Sequence, residues 1–395
     1  MTAQQVPLKH LAGINERALP DDTDPDRTFR YIDIASVGHG ELAKEPDEVR
    51  FEDAPSRARR LLREGDTIVS TVRTYLRAVW PVDGPTDDLV ASTGFAVLTP
   101  RGIDSSYFSW WVQSDVFIEE VMARSAGVSY PAINALELGE LMVRVPSLMD
   151  QRAIADFLDT ETARIDALIT KKRRLIAILH ERFDSYIRYR LASVEPRLPL
   201  KRRWSVIDCK HRTPDYLPAG YPVISPGDVT PGRLNLDRAH RFVGEADYLD
   251  LADATRRPRR GDVIYSRNAS IGIASYVDTD RPFCMGQDVC LITSREQDQL
   301  YLSYVLNSVG VDQLDVQKIG STFSRVNVAQ ILELEIPVPE PRVQRWLRDE
   351  FDASKQRHDA TVRLLDRQIS LLHEHRQALI TAAVTGELEV PGVAA

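Results

Sequence analysis

The sequence predicts an α+β protein in which two similar domains are joined by two long antiparallel helices that form an intramolecular coiled coil. Two observations lead to this fold class. A set of short motifs occurs twice in the same order, and each copy ends in a long segment free of Gly and Pro with heptad-like apolar spacing. We therefore expect an internal repeat with pseudo-twofold character.

The repeat is clearest in two polar octets. GVSYPAIN (127–134) and GSTFSRVN (320–327) share Gly, Ser/Thr, an aromatic ring, Ile/Val and Asn, at an offset of 193 residues. The same offset holds between Leu141–Asp159 and Leu334–Asp352. VPLK matches LPLK at an offset of 192 residues, and GDTIVS matches GDVIYS at an offset of 196 residues. Because all matches keep the same order, coincidence is a poor explanation. Small insertions and deletions in the middle of each copy account for the changing offset.

Each copy is followed by a long amphipathic segment. No Gly or Pro lies between Ser147 and Val194, or from Arg342 to Thr385. Each helix could run about 40 residues, or about 60 Å, and its apolar seam must be covered. The alternative to a coiled coil is two independent helices packed on their own domains. The predicted seam of the first helix is interrupted by Lys172 and consists of Ile165, Leu168, Leu175, Leu179 and Phe183. The predicted seam of the second helix is interrupted by Arg376 and consists of Val362, Leu365, Ile369, Leu372 and Leu379. The two basic residues could set the register or meet a partner protein.

The domains themselves contain short strand-like runs and one longer helical stretch before each octet. We predict a first domain over 1–146, a long helix over 147–192, a second domain over 193–339, a long helix over 340–386 and a tail over 387–395. The predicted strands are Tyr31–Val37, Asp66–Val72, Gly94–Pro100, Asp262–Arg267 and Asp288–Ser294, and the predicted helices are Ser105–Arg124 and Asp298–Gln317.

Composition and charge are those of an ordinary globular protein. The chain is 43% hydrophobic and 27% charged, with a net charge of −8. Charge is unevenly placed, since residues 16–53 hold 12 acidic and 5 basic residues, while 197–214 hold 6 basic and 1 acidic. A local basic face can bind phosphate despite an acidic average, although a solvated surface explains such clusters equally well. No apolar run is long enough for a membrane span and the N-terminus does not resemble a signal peptide, so we expect a cytoplasmic protein.

The sequence contains none of the common catalytic or metal-binding motifs. Phosphate-cradling loops, GxGxxG, HExxH and GxSxG are missing from it. Cys209, Cys284 and Cys290 form no CxxC pair, so we interpret them as small buried apolar residues. His211 is the best single candidate for a functional histidine, but its basic neighbours suggest phosphate or base contact. We predict no catalytic residue and no metal site.

Several motifs, taken in order, resemble a known family. They are DCKHRTPDYLPAGYPVISPGDV (208–229), the Gly-Asp-x-Ile-x-Ser strands, the polar octet followed by Leu-x-x-x-x-Val/Ile-Pro-x-Pro and then by Gln-Arg and a long helix, and the terminal RQALITAAVTGELEV (376–390). The set resembles the specificity (S) subunit of type I restriction–modification systems, the HsdS family, over nearly the whole chain. The first domain departs from the pattern, because its opening (19–37) lacks the His-x-Thr-Pro signature.

The resemblance implies a DNA-reading subunit without chemistry of its own. Each domain would read one half of a bipartite, asymmetric DNA sequence. The coiled coil would fix the unread spacer and dock two methyltransferase (M) subunits. S-adenosylmethionine, ATP and Mg²⁺ would bind to M and to restriction (R) subunits, so we expect no cofactor on this chain.

The candidate DNA-binding residues are polar or aromatic side chains near the octets and the repeated strand ends. Arg pairs with guanine and Asn with adenine, while Lys, Arg and hydroxyl groups contact phosphates. A solvated or turn-forming role is the alternative for each, and core packing is a further alternative for Tyr75 and Tyr130. The candidates are Ser70, Thr71, Arg73, Thr74, Tyr75, Ser129 and Tyr130 in the first domain, and Lys210, His211, Arg212, Thr213, Ser266, Arg267, Asn268, Ser321, Thr322, Ser324 and Arg325 in the second.

Two other function classes fit part of the sequence. A coiled-coil interaction scaffold without DNA readout explains the repeat and the helices, but not the loops rich in Arg and Ser. An enzyme with an unfamiliar site would show activity as an isolated chain. Steep weakening of DNA binding with salt favours the specificity subunit over the scaffold.

Overall fold

The computed structural model describes residues 4–127, 129–318 and 325–393, without the side chains of 315–318. The chain divides into two compact units. The first contains the residues up to Lys172 and those from Asp366 onward, and the second contains Arg173–Leu365. Each unit therefore combines one α+β domain with part of each long helix.

The first unit contains two four-stranded sheets and one strand pair. The sheet orders are β2-β9-β6-β7 and β4-β3-β8-β5, and β1 pairs with β10. The strands are β1 Gln4–Pro7, β2 Ala12–Ile14, β3 Thr28–Ile32, β4 Asp47–Arg50, β5 Ala58–Leu61, β6 Thr67–Ser70, β7 Val79–Pro81, β8 Leu89–Ser92, β9 Phe95–Pro100 and β10 Met142–Val145. Strand β6 is buried along its whole length and pairs antiparallel with both β7 and β9.

Helices cover the core of this first unit. They are α1 Ser105–Gln113, α2 Asp115–Arg124 and α3 Ala135–Gly139, with 3-10 turns at Leu8–His10, Ile34–Ser36, Phe51–Asp53 and Thr74–Leu76. The largest core cluster joins α1 and α2 to Leu158 of the first long helix and to Ile380 of the second. The residues after Thr385 belong to the same core, since Val390 is buried in it. The tail is thus packed on the first unit rather than free in solvent.

The second unit repeats this plan with a larger sheet. Its sheet orders are β12-β19-β16-β17-β14 and β15-β13-β18, and β11 pairs with β20. Strand β16 is fully buried and pairs antiparallel with β17 and β19, as β6 does with its neighbours. The strands are β11 Arg197–Pro199, β12 Ser205–Asp208, β13 Tyr221–Ile224, β14 Gly232–Arg233, β15 Phe242–Val243, β16 Val263–Ser266, β17 Ala274–Tyr276, β18 Cys284–Met285, β19 Val289–Thr293 and β20 Glu335–Pro337.

The helices of the second domain flank these sheets. They are α5 Glu245–Leu251, α6 Gln299–Val305, α7 Val311–Lys318 and α8 Val328–Leu332, with a π-helical turn at Leu306–Gly310 and 3-10 turns at Leu200–Arg202, Pro226–Asp228, Leu236–Arg238 and Ala254–Arg256. In the part of the chain that the structure describes, no helix is long and apolar enough to cross a membrane.

The two long helices are Leu148–Ala192, here called α4, preceding β11, and Pro341–Thr385, called α9, each of 45 residues. They pair antiparallel within each unit. In the first unit Lys172 Nζ lies 2.6 Å from Gln368 Oε1, and Arg376 Nε lies 3.1 Å from Asp166 Oδ1. Lys172 and Arg376 therefore make polar contacts between the helices. The predicted α+β class with two long paired helices is confirmed.

The second unit shows the same direction of pairing. His180 Nδ1 lies 3.1 Å from His358 Nε2, and Tyr186 and Arg190 both donate to the carboxylate of Glu350. In the successive contacts between the helices, the residue numbers rise along α4 while they fall along α9. This is the antiparallel coiled coil expected from the sequence.

One part of the predicted seam is wrong. Leu168 and Leu175 are 46% and 44% exposed, whereas Ile169 is 3% exposed. The seam of α4 alternates spacings of three and four through Thr162, Ile165, Ile169, Lys172, Ile176, Leu179 and Phe183, all buried or half-buried. Leu168 and Leu175 lie one position before seam residues, and their side chains face outward.

Candidate nucleic-acid interface

In the first domain the predicted residues form a tight turn at the end of β6. The Ser70 hydroxyl is buried and donates to the Val72 carbonyl at 2.5 Å. The backbone N–H and hydroxyl of Thr71 both donate to the Gly94 carbonyl, at 2.8 and 2.9 Å. Thr74 is buried, with its hydroxyl 2.9 Å from Ser125 Oγ. These three hydroxyls hold the turn in place.

Other side chains of the same region are exposed. Tyr75 and Tyr130 are 50% and 66% exposed, so core packing does not explain either ring. The Arg73 guanidinium lies 4.9 Å from the centre of the Tyr130 ring, within the range of a cation–π contact. Ser129 is exposed beside it. The turn thus presents one arginine, two aromatic rings and a hydroxyl to solvent.

The structure brings the strand end and the first octet together. The Arg73 amide donates to the Pro131 carbonyl at 2.8 Å, and the Ile133 amide donates to the Thr71 carbonyl at 3.0 Å. An isolated antiparallel bridge also joins Val72 to Ala132. Two segments that the sequence separates by more than 50 residues therefore form one surface.

The second domain repeats these contacts. The Val326 amide donates to the Arg267 carbonyl at 2.8 Å, and an isolated bridge joins Asn268 to Arg325. The Arg267 amide donates to the Asp288 carbonyl at 2.8 Å, as Thr71 does to Gly94. The predicted residues Ser321, Thr322 and Ser324 lie outside the described residues.

Arg267 lies inside the protein, which corrects its predicted role. Its side chain is 5% exposed, its guanidinium is ion-paired with Asp208, and its Nε donates to the Val326 carbonyl at 3.0 Å. A guanidinium held in this way cannot reach a base edge without breaking these bonds. Ser266 is fully buried as well, with its hydroxyl 3.0 Å from the Asn268 carbonyl. Both residues support the loop.

Arg325 and Asn268 remain accessible next to this buried pair. Arg325 is 41% exposed, and its Nε lies 2.8 Å from Asp288 Oδ1. Asn268 is half-buried, and its Nδ2 donates to the other oxygen of the same carboxylate at 3.3 Å. Asp288 has a left-handed backbone with φ of 65°, so the fold positions this carboxylate at some conformational cost.

The KHRT segment is bound to α5. Lys210 and Arg212 both form ion pairs with Asp250, and Arg212 also contacts Asp247. The Lys210 ammonium, the largest influence, holds the pKa of Asp250 below its ordinary value, and Arg212 acts in the same direction. Because these partners largely neutralise the two cations, their attraction for phosphate is weaker than the sequence suggested.

His211 and Thr213 link this segment to the rest of the site. His211 Nε2 lies 3.2 Å from Asp208 Oδ2, and Thr213 accepts a 2.8 Å hydrogen bond from Gln287. Asp208 therefore joins His211 to Arg267. Sequence reasoning did not select Asp208 or Asp288, although Asp208 opens the quoted DCKHRTP motif.

Asp208, Cys209 and His211 also place potential metal ligands within 4.8 Å of one another. Burial raises the pKa of the Cys209 thiol, which favours the neutral form that binds metals poorly. The Asp208 carboxylate is already occupied by Arg267 and His211. The three groups therefore fit a loop anchor better than a metal centre.

The two loop clusters present the same kind of surface, one in each unit. Residues 209–353 match the family model for the type I restriction modification DNA specificity domain. This segment, which covers most of the second domain and the start of α9, is therefore similar to the DNA specificity domain of type I restriction–modification systems.

One solved structure shows the same fold over nearly the whole chain, and two others are similar at lower scores. A structure described as the basis of complex assembly and conformational transition of the type I R-M system covers 98% of this chain and 98% of that chain, with 20% identity and a TM-score of 0.70. The HsdS subunit from Thermoanaerobacter tengcongensis is similar at 19% identity, covering 98% and 97%, with a TM-score of 0.49. The type I restriction-modification S subunit from M. genitalium is similar at 14% identity, covering 97% and 96%, with a TM-score of 0.40. No curated protein is similar enough in sequence to count as a relative of this chain.

Proposed function

We propose that each domain reads one half of a bipartite, asymmetric DNA sequence. One observation carries this proposal. In both units the same backbone bonds, from Ile133 to Thr71 and from Val326 to Arg267, join the end of a buried strand to an octet. Two copies of the same strand-to-octet connection suit two half-sites, and the different side chains of the two copies suit different base sequences.

The exposed residues are the ones that we propose touch DNA. Buried Ser70, Thr74, Ser266 and Arg267 instead shape the loops, and Lys210 and Arg212 act mainly through α5. Ser321, Thr322 and Ser324 stay candidates by virtue of the sequence alone. The remaining candidates, with side chains that are accessible or partly so, are Thr71, Arg73, Tyr75, Ser129, Tyr130, His211, Thr213, Asn268 and Arg325.

We further propose that the coiled coil sets the length of the unread spacer. Each helix of 45 residues is about 68 Å long at 1.5 Å per residue. Half-sites read from one side of the duplex lie about 34 Å apart, or a multiple of this distance. The helices are long enough for such a spacing.

The coiled coil also offers a surface for the methyltransferase subunits. Leu168, Leu175 and Ile178 are exposed at helical spacing along α4, and Leu364 and Leu371 are exposed seven residues apart along α9. Rows of exposed apolar side chains favour a protein partner over bulk water. We propose that two M subunits dock here in the cytoplasm, that R subunits join them, and that S-adenosylmethionine and ATP bind on those partners.

Selection of DNA by the assembled complex tests the proposal. The full chain would be purified with a type I adenine methyltransferase subunit and offered a library of random 40-base-pair duplexes. We expect a bipartite consensus with a fixed gap, and binding that weakens steeply with salt because phosphate contacts release counterions. A contiguous consensus would contradict the two-half reading. No sequence preference at all would contradict DNA readout and favour the scaffold.

A further inference from the structure

A cleft of about 440 Å³ lies in the first domain, next to the turn that carries Arg73. The end of β3, the loop before β5 and the end of β8 form its other walls. Tyr31 and Asp33 come from the first of these, Arg57 from the second and Ser92 from the third, while Tyr130 comes from the octet. No sequence motif singles out Asp33 or Arg57.

The two arginines of this cleft keep their hydrogen-bonding capacity. Within the described residues, neither Arg57 nor Arg73 forms an ion pair, and Arg57 is exposed. Elsewhere in the domain, Arg30 is paired with Asp88 at 2.6 Å and Arg77 is paired with Asp115. Arg57 and Arg73 therefore place two guanidinium groups, each with several hydrogen-bond donors, on one concave surface.

Asp33 supplies an acceptor in the same place. Its Oδ1 accepts hydrogen bonds from the Ser36 amide and hydroxyl, at 2.9 and 2.7 Å. In the described part of the chain, no donor contacts its Oδ2. The cleft thus combines arginine donors with one carboxylate acceptor. A carboxylate repels a phosphate group, so this lining argues against a phosphate-binding site.

Donors and an acceptor that line one cleft suit the major-groove edge of a G·C pair. Arginine bonds guanine O6 and N7 in a bidentate manner, and a carboxylate accepts from cytosine N4. The Arg73 guanidinium is held against the exposed Tyr130 ring at 4.9 Å, which limits its freedom before binding. Its left-handed backbone, with φ of 52°, is fixed by the 2.8 Å bond from its amide to Pro131.

We propose that this cleft is a base-reading site of the first domain, in which Arg57 and Arg73 donate to guanine and Asp33 accepts from cytosine. The inference rests on the proposed function, that is, on DNA recognition by this domain. It adds Arg57 and Asp33 as specificity-determining residues.

The test compares the consensus selected by variant complexes. Full chain and methyltransferase subunit would be purified together, with Arg57→Ala, Arg57→Lys or Asp33→Asn, and offered the same random duplexes. Each variant should lose preference at a G·C position in one half of the consensus, by about five- to 150-fold, while the other half stays unchanged. Arg57→Lys keeps the charge and removes the bidentate fork, so it should also lose preference.

Arg27→Ala is the matched control. Arg27 is exposed in the same domain and does not line the cleft, so its loss removes the same charge without touching the site. An unchanged consensus for Arg57→Ala overturns the inference, and so does a uniform loss of affinity with an unchanged consensus, which indicates a phosphate contact. If the unmodified complex selects no sequence, the proposed function itself is wrong. Thermal unfolding of each variant checks that the domain remains folded.

Discussion

Gln151 and Gln344 lie 193 residues apart and make the same two hydrogen bonds, each in its own unit. The Gln151 amide donates to the Pro146 carbonyl at 2.9 Å, and its oxygen accepts from the Asp104 amide at 2.8 Å. Gln344 donates to the Pro339 carbonyl at 2.7 Å and accepts from the Asp298 amide at 3.0 Å. Both glutamines are buried, so the matched sequence corresponds to the same connection between each long helix and its domain.

We expect Gln344→Ala to destabilise the second unit by about 1–3 kcal/mol, because it leaves the buried Pro339 carbonyl and the partly buried Asp298 N–H without partners. Hydrogen exchange resolved by segment should show faster exchange near Asp298 and at the start of α9. Gln151→Ala should act in the same way on the first unit. Gln356→Ala serves as a control, since Gln356 is exposed on the same helix, and equal effects of the two α9 variants would contradict this account.

The repeated octets show what the sequence could and could not reveal. Asn134 and Asn327 cap short helices, each in a capping box with Glu137 or Gln330 three residues later. Ile133 and the matching Val326 are buried. Local rules of helix capping and burial therefore account for the identical positions. Core packing, the alternative considered for Tyr130, does not apply, because its ring is 66% exposed and lies beside Arg73.

The roles of the arginines could not be predicted from the sequence. Arg267 follows a strand and ends a stretch (256–267) with five basic residues and one acidic residue, which is a typical setting for an exposed phosphate contact. Its guanidinium nevertheless forms an ion pair with Asp208, from a strand 59 residues away. Arg57 has no recognisable motif around it. Its place in a cleft depends on the packing of β3, β6 and β8. Which charges are neutralised is set by tertiary contacts, and these leave no short-range signal.

The buried pair of Arg267 and Asp208 should contribute mainly to stability. We expect Arg267→Ala to lower the free energy of unfolding by about 1.5–3 kcal/mol, the range for hydrogen bonds to charged groups. Urea titration of Arg267→Ala, Asp208→Ala and the double variant would measure the coupling between the two side chains. Additive effects would mean that the pair is not coupled. A loss of DNA affinity with unchanged stability would restore the base-reading role first predicted for Arg267.

Arg325 should behave in the opposite way, because it is accessible. We expect Arg325→Ala to weaken binding of the assembled complex by about 1–3 kcal/mol if the side chain reads a base, with little effect on stability. Changing Ser324 together with Arg325 should alter one half-site and leave the other intact. Gel-shift titration against duplexes mutated in either half would show this.

Arg238→Ala provides the comparison for that experiment, since Arg238 is exposed in the same domain and does not belong to the octet. It removes the same charge, so a general electrostatic effect would appear in both variants. Unchanged binding by Arg325→Ala would remove the residue from the interface. Equal losses at both half-sites would contradict separate reading by the two domains.

The spacer should follow the length of the helices. Insertion of one turn after Thr170 alone would break the register between Lys172 and Gln368, so a matched change in both helices is the better test. Seven residues added after Thr170 and after Ser370 keep the heptad seam and lengthen each helix by about 10 Å. We expect the permitted gap to change by about three base pairs, at 3.4 Å per pair.

Methylome sequencing of cells that carry the lengthened chain and its methyltransferase would report the gap directly. A motif with unchanged halves and a new gap supports the ruler. An unaltered motif in a folded, active complex contradicts it. As the control, seven residues inserted after Gly392, beyond the helices, should leave the motif as it was.

The contact between His180 and His358 should make the second unit less stable in mild acid. Burial, and then the neighbouring His180, lower the pKa of His358 below its ordinary value of 6.5. Asp184 and Asp359 oppose the shift and Lys355 adds to it. A ring whose pKa is lower in the folded state favours folding while it is neutral, so its contribution is complete above pH 6.5 and falls as the pH drops below that value.

Urea midpoints measured from pH 7.5 to 5.5 should therefore fall more for the unmodified chain than for His358→Gln, which cannot titrate. His240→Gln, at an exposed histidine of the same unit, should leave the pH dependence in place, and parallel curves for the unmodified chain and His358→Gln would contradict the prediction.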